Sequence, residues 1–573
     1  MSPKVKELNH DLTVNEESPL MMEEQYSSFP TSPKEKETFR IQTEVLEQLK
    51  TAFPTLQSMV LTKIPWLISL RFVGGIGSNE LAAAALATTL CNVTGLSFSV
   101  GLSSALSTLS GQAKGELLSR SNTQKQQYDE EYSTEANGDK ENPITPLVFL
   151  FRGLLIQLAI VIPIGIWWII GTERVLLALG QQDFIASMTD SYLRVLAPGL
   201  WYVLYFYMLP ICLRVLFRNT ETHYFPFPRG YSISWTLTAW VQSIGLADVP
   251  VYAAILGLLL HVPLNWFFIY YLDWGYLGCA MATVSFQAIQ PLFIVTYLFF
   301  TRLGRKRVLE SSGGLAIGRT RLTFWNEFCI AISSLKGFFQ YMSLALPGMV
   351  IISEWWASEF SIFLSGRLEP SPEAALGGMT IYQSINTVCF MFPIAFSVSA
   401  STRVGNLLGA DRPKDAAFAA KVSIGCAACL SFVLGSLLLG IPHKFLPSLF
   451  TPDDQVILET SRTMPLLAIY VFADGIQVAL NGIIKGCGRQ FIIMPIVLVA
   501  YWVVGVPLAY YIAFIRHDRA MFCDDSYFCG DVGLVAGMTT GTWVHMILLA
   551  LVVGLSTDWN IEAKKAKERV STK

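Results

Sequence analysis

Apolar residues fall in blocks of about 20 or more along most of this chain, the length a helix needs to cross the hydrocarbon of a bilayer. Pro146–Ile170, Val251–Tyr271, Gly278–Phe300, Ala419–Gly440 and Phe491–Phe514 are clear examples. A globular protein does not need this layout, because its helices bury one apolar stripe and keep a polar face. Composition agrees: 52% of the 573 residues are hydrophobic and only 15% are charged, where a soluble domain carries about 25% charged residues. In lipid, each backbone N–H and C=O must be satisfied within the segment, so blocks of this length fold as helices. The chain is expected to be an all-α membrane protein.

Twelve spans are expected, at 52–75, 80–108, 146–170, 187–213, 247–271, 276–302, 341–366, 376–403, 419–441, 461–484, 491–515 and 533–556. The second, NELAAAALATTLCNVTGLSFSVGLSSALSTLS, is small and polar, which suits a helix facing protein or a wet cavity. Lys and Arg gather in one set of connections, including Arg302, Arg305, Lys306 and Arg307, then Arg412 and Lys414, and finally Lys564, Lys565, Lys567 and Arg569. The alternate connections hold few. By the positive-inside rule, an even number of spans then puts both termini in the cytoplasm. Residues 1–50 have no apolar h-region of a signal peptide and too few apolar residues to bury a core, so a disordered cytoplasmic tail is expected there. A net charge of −2, with no Lys/Arg stripe interleaved with aromatics, gives no reason to expect a nucleic-acid partner. The partner is the lipid bilayer.

The chain repeats itself. Ser107-T-L-S-G-Q-A-K-Gly115 matches Ser401-T-R-V-G-N-L-L-Gly409 at an offset of 294. LGQQD at 179–183 resembles LFTPD at 449–453, offset 270, and Pro263-Leu264 resembles Pro507-Leu508, offset 244. The falling offset is explained by two polar insertions in the first half, near 121–145 and 219–244. The reading is two pseudo-symmetric six-helix bundles, 51–302 and 341–556, joined by a cytoplasmic linker and interfacial helix at 303–340 and followed by a basic cytoplasmic tail at 557–573. Parallel repeats of this kind build transporters, with the site between the halves near the midplane.

Acids interrupt two spans of the second half. Ile351–Leu364 reads IISEWWASEFSIFL and carries Glu354 and Glu359, although a central Asp, Lys or Arg costs roughly 2.5–3.5 kcal/mol on insertion scales. From Glu354, Ser358, Ser361 and Ser365 follow at helical spacing on one face. Glu359 lies about 140° round a straight helix from Glu354, and Pro347 can bend the helix before both. In the tenth span Asp474, Gln477, Asn481 and Lys485 form a second stripe. The acids either pair structurally with a base such as Lys485 or Arg403, or line a wet cavity, and two stripes in one half favour the cavity. An intramembrane acid then marks a proton relay, an ion site or a countercharge for a cation.

These residues carry a resemblance. EWWASEFSIFLSG at 354–366, PIAFSVSASTRVGNLLGA at 393–410 and ADGIQVALNGIIKGCGRQ at 473–490 are similar to the seventh-, eighth- and tenth-helix motifs of the multidrug and toxic compound extrusion (MATE) transporters, eukaryotic branch. NVTGLSFSVGLSSALSTLSGQAKGE at 92–116 and HVPLNW at 261–266 match that family too, so the likeness runs from about residue 50 to 556. It implies twelve helices in two bundles and an antiporter driven by H⁺ or Na⁺, with essential acids that fall here on Glu354, Glu359 and Asp474. Two departures stand out. Ser107 occupies a place where many relatives carry an acid, and the first span has no aspartate. The second bundle is therefore expected to hold the chemistry.

The expected function is secondary active efflux of organic cations or small metabolites in exchange for protons, by alternating access. A Na⁺-coupled carrier or a lipid-linked flippase of the same superfamily is the alternative. Glu354, Glu359, Asp474, Gln477, Asn481 and Trp355 are the expected proton- and substrate-binding residues. Trp355 and Trp356 either stack on substrate or face lipid. The six histidines form no ligand cluster and no nucleophile elbow is present, so no enzyme, metal or cofactor is expected. No oligomeric filter is needed, and a monomer in the plasma or vacuolar membrane is expected. Most cysteines lie in spans; Cys523 and Cys529 share one extracytoplasmic loop, where a disulfide is expected.

Overall fold

The computed structural model describes residues 33–130, 144–178, 181, 183–197, 231–311 and 324–571. Among these, ten helices are long and apolar enough to cross a membrane by length and composition. They match ten of the twelve expected spans. The expected fourth span, 187–213, lies largely outside the described residues, which are helical over 183–197.

Helix α1 (Pro33–Gly74) contains the expected first span as its second part. This corrects the boundary at residue 50: helix extends back to Pro33, while residues 1–32 lie outside the described residues. The physical reason is local. No Gly or Pro interrupts 35–53, and Gln48 is buried and fully engaged. Its amide donates to the Ala419 carbonyl (3.0 Å), its Oε1 accepts from Ser423 (2.8 Å) and its own carbonyl accepts from Ser399 (2.7 Å).

The small-residue span forms α2 (Ser78–Cys91) and α3 (Ser97–Glu130), joined by a π-helical turn at Asn92–Leu96. Helices α4 (Pro146–Ile170), α5 (Val249–Trp266) and α6 (Gly275–Val295) complete the described spans of the first half. Beyond them, α7 (Phe324–Ser333) leads into the second half. There, α8 (Leu335–Ile351) and α9 (Ser353–Ser365) are one expected span, broken at Ile352. Long helices α10 (Pro372–Gly409), α11 (Pro413–Gly440) and α12 (Asp454–Gly486) follow. The eleventh span begins at α13 (Gln490–Val497) and runs on to Arg516, with a π-helical stretch at Leu498–Gly505. The last span is α14 (Asp531–Leu555).

The basic segment after it folds as α15 (Trp559–Val570), capped by the Asp558 carboxylate and packed through Ala563, Ala566 and Val570. Arg569 donates to the carbonyls of Cys487 (2.8 Å) and Gly488 (3.2 Å), which end α12.

The two repeated Ser-Thr-x-x-Gly-x-x-x-Gly segments pack against each other. A Cβ on Gly115 would lie 2.0 Å from the Asn406 carbonyl oxygen, and one on Gly409 would lie 2.1 Å from that of Gln112. Gln112 donates to the Gly486 carbonyl (3.0 Å), and Thr108 donates to that of Lys485 (2.7 Å) and accepts from Gln490 (2.8 Å). Small residues let the backbones approach this closely, and the buried polar groups then bond across the contact. The halves thus meet in a tight seam at the end of the molecule that carries α15.

Candidate functional site

Helix α8 stops because Pro347 lies inside its last turns and frees a backbone carbonyl, and the chain restarts as α9 after Ile352. The break puts Glu354 in the first turn of α9, where unpaired N–H groups favour a negative charge. Broken spans with a helix end turned inward are how transporters build sites at membrane depth.

Glu354 is met by side chains from three other spans. Gln477 of α12 donates to its Oε2 at 2.9 Å. The Tyr501 hydroxyl contacts Gln477 Oε1 (3.3 Å) and Thr542 Oγ1 (3.1 Å). His545 of α14 places Nδ1 3.8 Å from the same carboxylate oxygen, and its ring meets Tyr501 edge-on with centroids 5.5 Å apart. Tyr501 lies in the π-helical stretch, a local widening that often marks a functional position. Gln477, Tyr501, Thr542 and His545 are all buried.

Asp474 is buried one turn from Gln477, and its Oδ1 has no hydrogen-bond partner. It lies within electrostatic reach of Glu354, and Tyr382 and Tyr470 lie within reach of it. Asn481, one turn further, also keeps a buried Oδ1 without a partner. Among the described residues the nitrogen within 4 Å of Glu354 belongs to His545, and Lys485, at the end of the α12 stripe, lies within electrostatic reach of the same carboxylate. Unpaired buried polar atoms are costly, and Asp474 and Asn481 present two of them along one face of α12.

Glu354, Asp474 and Gln477 therefore come together, and Asn481 lies two turns from Asp474 on α12. Glu359 does not join them: it is half-buried on α9 with no hydrogen bond or ion pair among the described residues. Trp355 is half-buried, and it is Trp356 that turns to the first half, where its Nε1 donates to Ser97 (3.3 Å) beside Phe98. The serine stripe is occupied by packing. Ser358 bonds Gln383 (2.9 Å), Ser361 bonds the Ala357 carbonyl (3.1 Å) and Ser365 bonds Asp531 (2.7 Å). Sequence spacing missed Tyr501, Thr542 and His545. Tyr501 lies alone in its span, whereas Thr542 and His545 stand three residues apart on α14, where a histidine in the apolar run WVHMILLAL was itself a signal. Far from this cluster, Cys523 and Cys529 lie with sulfurs at bonding distance and Cα atoms 6.0 Å apart.

The arrangement has no resident nucleophile or metal set; it is a set of protonatable and hydrogen-bonding groups at membrane depth. Comparison with known proteins bears on the family and the fold. The MatE family model matches residues 54–117 and 348–511, and the second stretch contains Glu354, Glu359, Asp474, Gln477, Asn481 and Tyr501. Protein DETOXIFICATION 12 of Arabidopsis thaliana is 29% identical over 508 residues, covering 88% of this chain and 87% of that one. The crystal structure of the eukaryotic MATE transporter AtDTX14 superposes with a TM-score of 0.72 at 25% identity, over 92% of this chain and 99% of that one. A structure of the Vibrio cholerae MATE transporter VcmN shares the fold, with a TM-score of 0.67 at 15% identity over 91% of this chain and 99% of that one. Over most of its length the chain is similar to the MATE multidrug and toxin extrusion transporters of the eukaryotic branch, and it is a multi-pass membrane transporter of small molecules, not an enzyme.

Proposed function

We propose that this transporter exports a cationic or amphipathic small molecule in exchange for protons, and that Glu354 and Asp474 bind both in turn. The observation that carries this reading is the Asp474 carboxylate, buried with an oxygen unpartnered and no base beside it. A carboxylate kept in that state needs a mobile counter-ion. A proton that binds either acid removes the countercharge that holds the substrate; a substrate that binds displaces the proton. Gln477, Tyr501 and Thr542 orient the Glu354 carboxylate through a hydrogen-bonded chain. Glu359 and Trp355, on the same helix, serve as secondary contacts toward the substrate path.

Alternating access then consists of opening and closing the seam between the halves. In the arrangement described here the seam is closed at the end that carries α15. We assign that end to the cytoplasm, with both termini there, as the distribution of Lys and Arg supports. The membrane is plasma or vacuolar and the protein acts as a monomer. Proteoliposomes under an imposed pH gradient test the reading. Saturable exchange of an organic cation such as tetraethylammonium, abolished in Asp474→Asn and Glu354→Gln, is the expected result. Exchange that follows a Na⁺ gradient and ignores the pH gradient would overturn proton coupling in favour of the Na⁺ carrier.

A further inference from the structure

The site holds a titratable ring that the exchange reaction above does not use. His545 lies in the middle turns of α14 and is fully buried. Neither of its ring nitrogens has a hydrogen-bond partner among the described residues. An imidazole always carries at least one N–H, and a buried donor left unmet is costly. What stands in front of the ring is Glu354. Its Oε2 lies 3.8 Å from Nδ1, about 1 Å beyond a charge-assisted hydrogen bond. Tyr501 meets the ring edge-on, with centroids 5.5 Å apart, which fixes the plane of the ring and leaves both nitrogens free.

The carboxylate is the more open member of the pair. The Glu354 side chain keeps 19% of its surface exposed and His545 keeps none. A proton that comes from water therefore meets the carboxylate first and the imidazole behind it. The other titratable groups nearby divide by element. Helix α12 brings Asp474 and Lys485, both within electrostatic reach of Glu354, and the π-helical stretch brings Tyr501. Tyr470 of α12 and Tyr382 of α10 lie toward Asp474, and α13 brings none. Glu354 is the carboxylate within 4 Å of the ring among the described residues.

We propose that Glu354 and His545 act as one pair that holds the exchanged proton between Oε2 and Nδ1, and that closing this bond withdraws the carboxylate from the substrate. This deepens the reading that Glu354 binds proton and substrate in turn, and rests on it. With a substrate cation bound, Glu354 is ionised and the ring is neutral. On the acidic side hydronium gives one proton to the pair, the cation leaves, and Oε2 and Nδ1 approach by about 1 Å to share the proton, so the two groups titrate as a unit. On the other side a new cation draws the carboxylate back and the proton returns to water. A carboxylate oxygen accepts two hydrogen bonds, so Gln477 keeps its bond to Oε2 throughout. Imidazole suits the task because its ordinary charge change falls between about pH 5 and 8. His545 is thus a positioning residue, acting on the substrate through Glu354.

Tetraethylammonium binding by calorimetry across that pH range reads the competition. In the parent protein affinity should fall as pH drops through a midpoint. His545→Gln should move that midpoint toward acid by about one pH unit or more, a tenfold change in proton affinity. A ring with a purely structural role would change affinity alike at every pH. A midpoint that coincides with the parent's would overturn the proposal.

A second measurement needs no ligand and no change at His545. Val544–His545 is the one Val-His step in the chain, so isotope-labelled valine and histidine assign this ring by magic-angle-spinning NMR in lipid. Its ring-nitrogen shifts should move from neutral to proton-sharing values as the pH falls, and should stay neutral in Glu354→Gln. Shifts that do not move in the parent protein would overturn the pair. The two readings fail separately. Exchange driven by Na⁺ alone removes proton coupling and the pair with it; proton-driven exchange with a midpoint unmoved in His545→Gln removes the pair alone.

Discussion

Four glycines of the repeated segments face the seam, and they divide cleanly into two that have room and two that do not. A methyl group on Gly115 would sit 2.0 Å from the Asn406 carbonyl oxygen, and on Gly409 2.1 Å from the Gln112 carbonyl oxygen, both rigid backbone atoms. On Gly111 it would meet Asn406 Oδ1 at 3.6 Å, and on Gly405 the Gly486 carbonyl oxygen at 3.6 Å, which are ordinary contacts. Gly115→Ala must therefore push the halves apart by about 1.5 Å to reach van der Waals separation, whereas Gly111→Ala need move nothing. Three hydrogen bonds span the same seam, at 3.0, 2.7 and 2.8 Å. Moving them by more than 1 Å breaks them, and losing two costs about 1–3 kcal/mol, roughly a 5- to 150-fold change in the equilibrium between closed and open seam.

The assay is a distance distribution between genetically encoded spin labels at Arg120 and Lys414, one in each half, in detergent and in lipid. Gly115→Ala and Gly409→Ala should shift population to a longer distance, while Gly111→Ala and Gly405→Ala keep the parent distribution. Net transport should fall in the first pair and not the second, because a transporter held in one state turns over slowly. If all four variants are folded and share the parent distribution, the closed seam is not set by these contacts and the reasoning fails.

Three other outcomes follow from the geometry. Asp474→Asn should leave thermal stability in detergent equal or higher, because it removes a buried charge with no ion pair, and Glu354→Gln should do the same if His545 and Lys485 are not its structural partners; a loss of about 3–5 kcal/mol would instead expose a structural ion pair. Cys523 and Cys529 should appear as a linked peptide after non-reducing digestion, and free thiols at both positions in fresh protein would refute the disulfide. Arg569→Ala removes two donors to the carbonyls that end α12 and should cost about 1–3 kcal/mol, visible as a lower unfolding midpoint; an unchanged midpoint would show that α15 is not a strap on the seam.

What the sequence made legible depended on how far its signals reach. Span position is a local property of apolar length, and ten of the expected spans reappear as helices, although the second runs on to Glu130 and the tenth begins earlier, at Asp454. The repeat showed as matching glycines, although sequence alone did not say that the two copies touch. The N-terminal boundary went wrong because Gln48 is polar and reads as solvent-exposed, whereas three hydrogen bonds bury it. The acid stripe of α12 was readable because helical spacing is a property of one segment. Tyr501 of one span and Thr542 and His545 of another were not, since nothing local links them to a carboxylate in a third. The serines after Glu354 had the right spacing for a polar face and the wrong inference attached, because a serine in a span is as well satisfied by a neighbouring helix as by a ligand.

One helix joins the acid to the seam. Asp474, Gln477 and Asn481 occupy the middle and later turns of α12, and the same helix ends in Lys485 and Gly486, whose carbonyls accept from Thr108 and Gln112. From Asp474 to Gly486 the rise is about 18 Å at 1.5 Å per residue. Pro465 lies before this stretch and no proline lies within it, so it moves as a rod. A change in charge at Asp474 that tilts the rod is carried to the carbonyls of the seam, with Arg569 of α15 holding the turn just beyond. Communication between acid and seam then needs no chain of side-chain rearrangements, only a pivot near Pro465. Pro465→Ala, which restores the missing hydrogen bond and stiffens that pivot, should therefore narrow the distance distribution across the seam and slow exchange while leaving tetraethylammonium affinity in place. Tetraethylammonium binding by calorimetry, with the spin-label distances on the same preparation, reads both. A Pro465→Ala variant that exchanges at the parent rate with the parent distribution would place the pivot elsewhere.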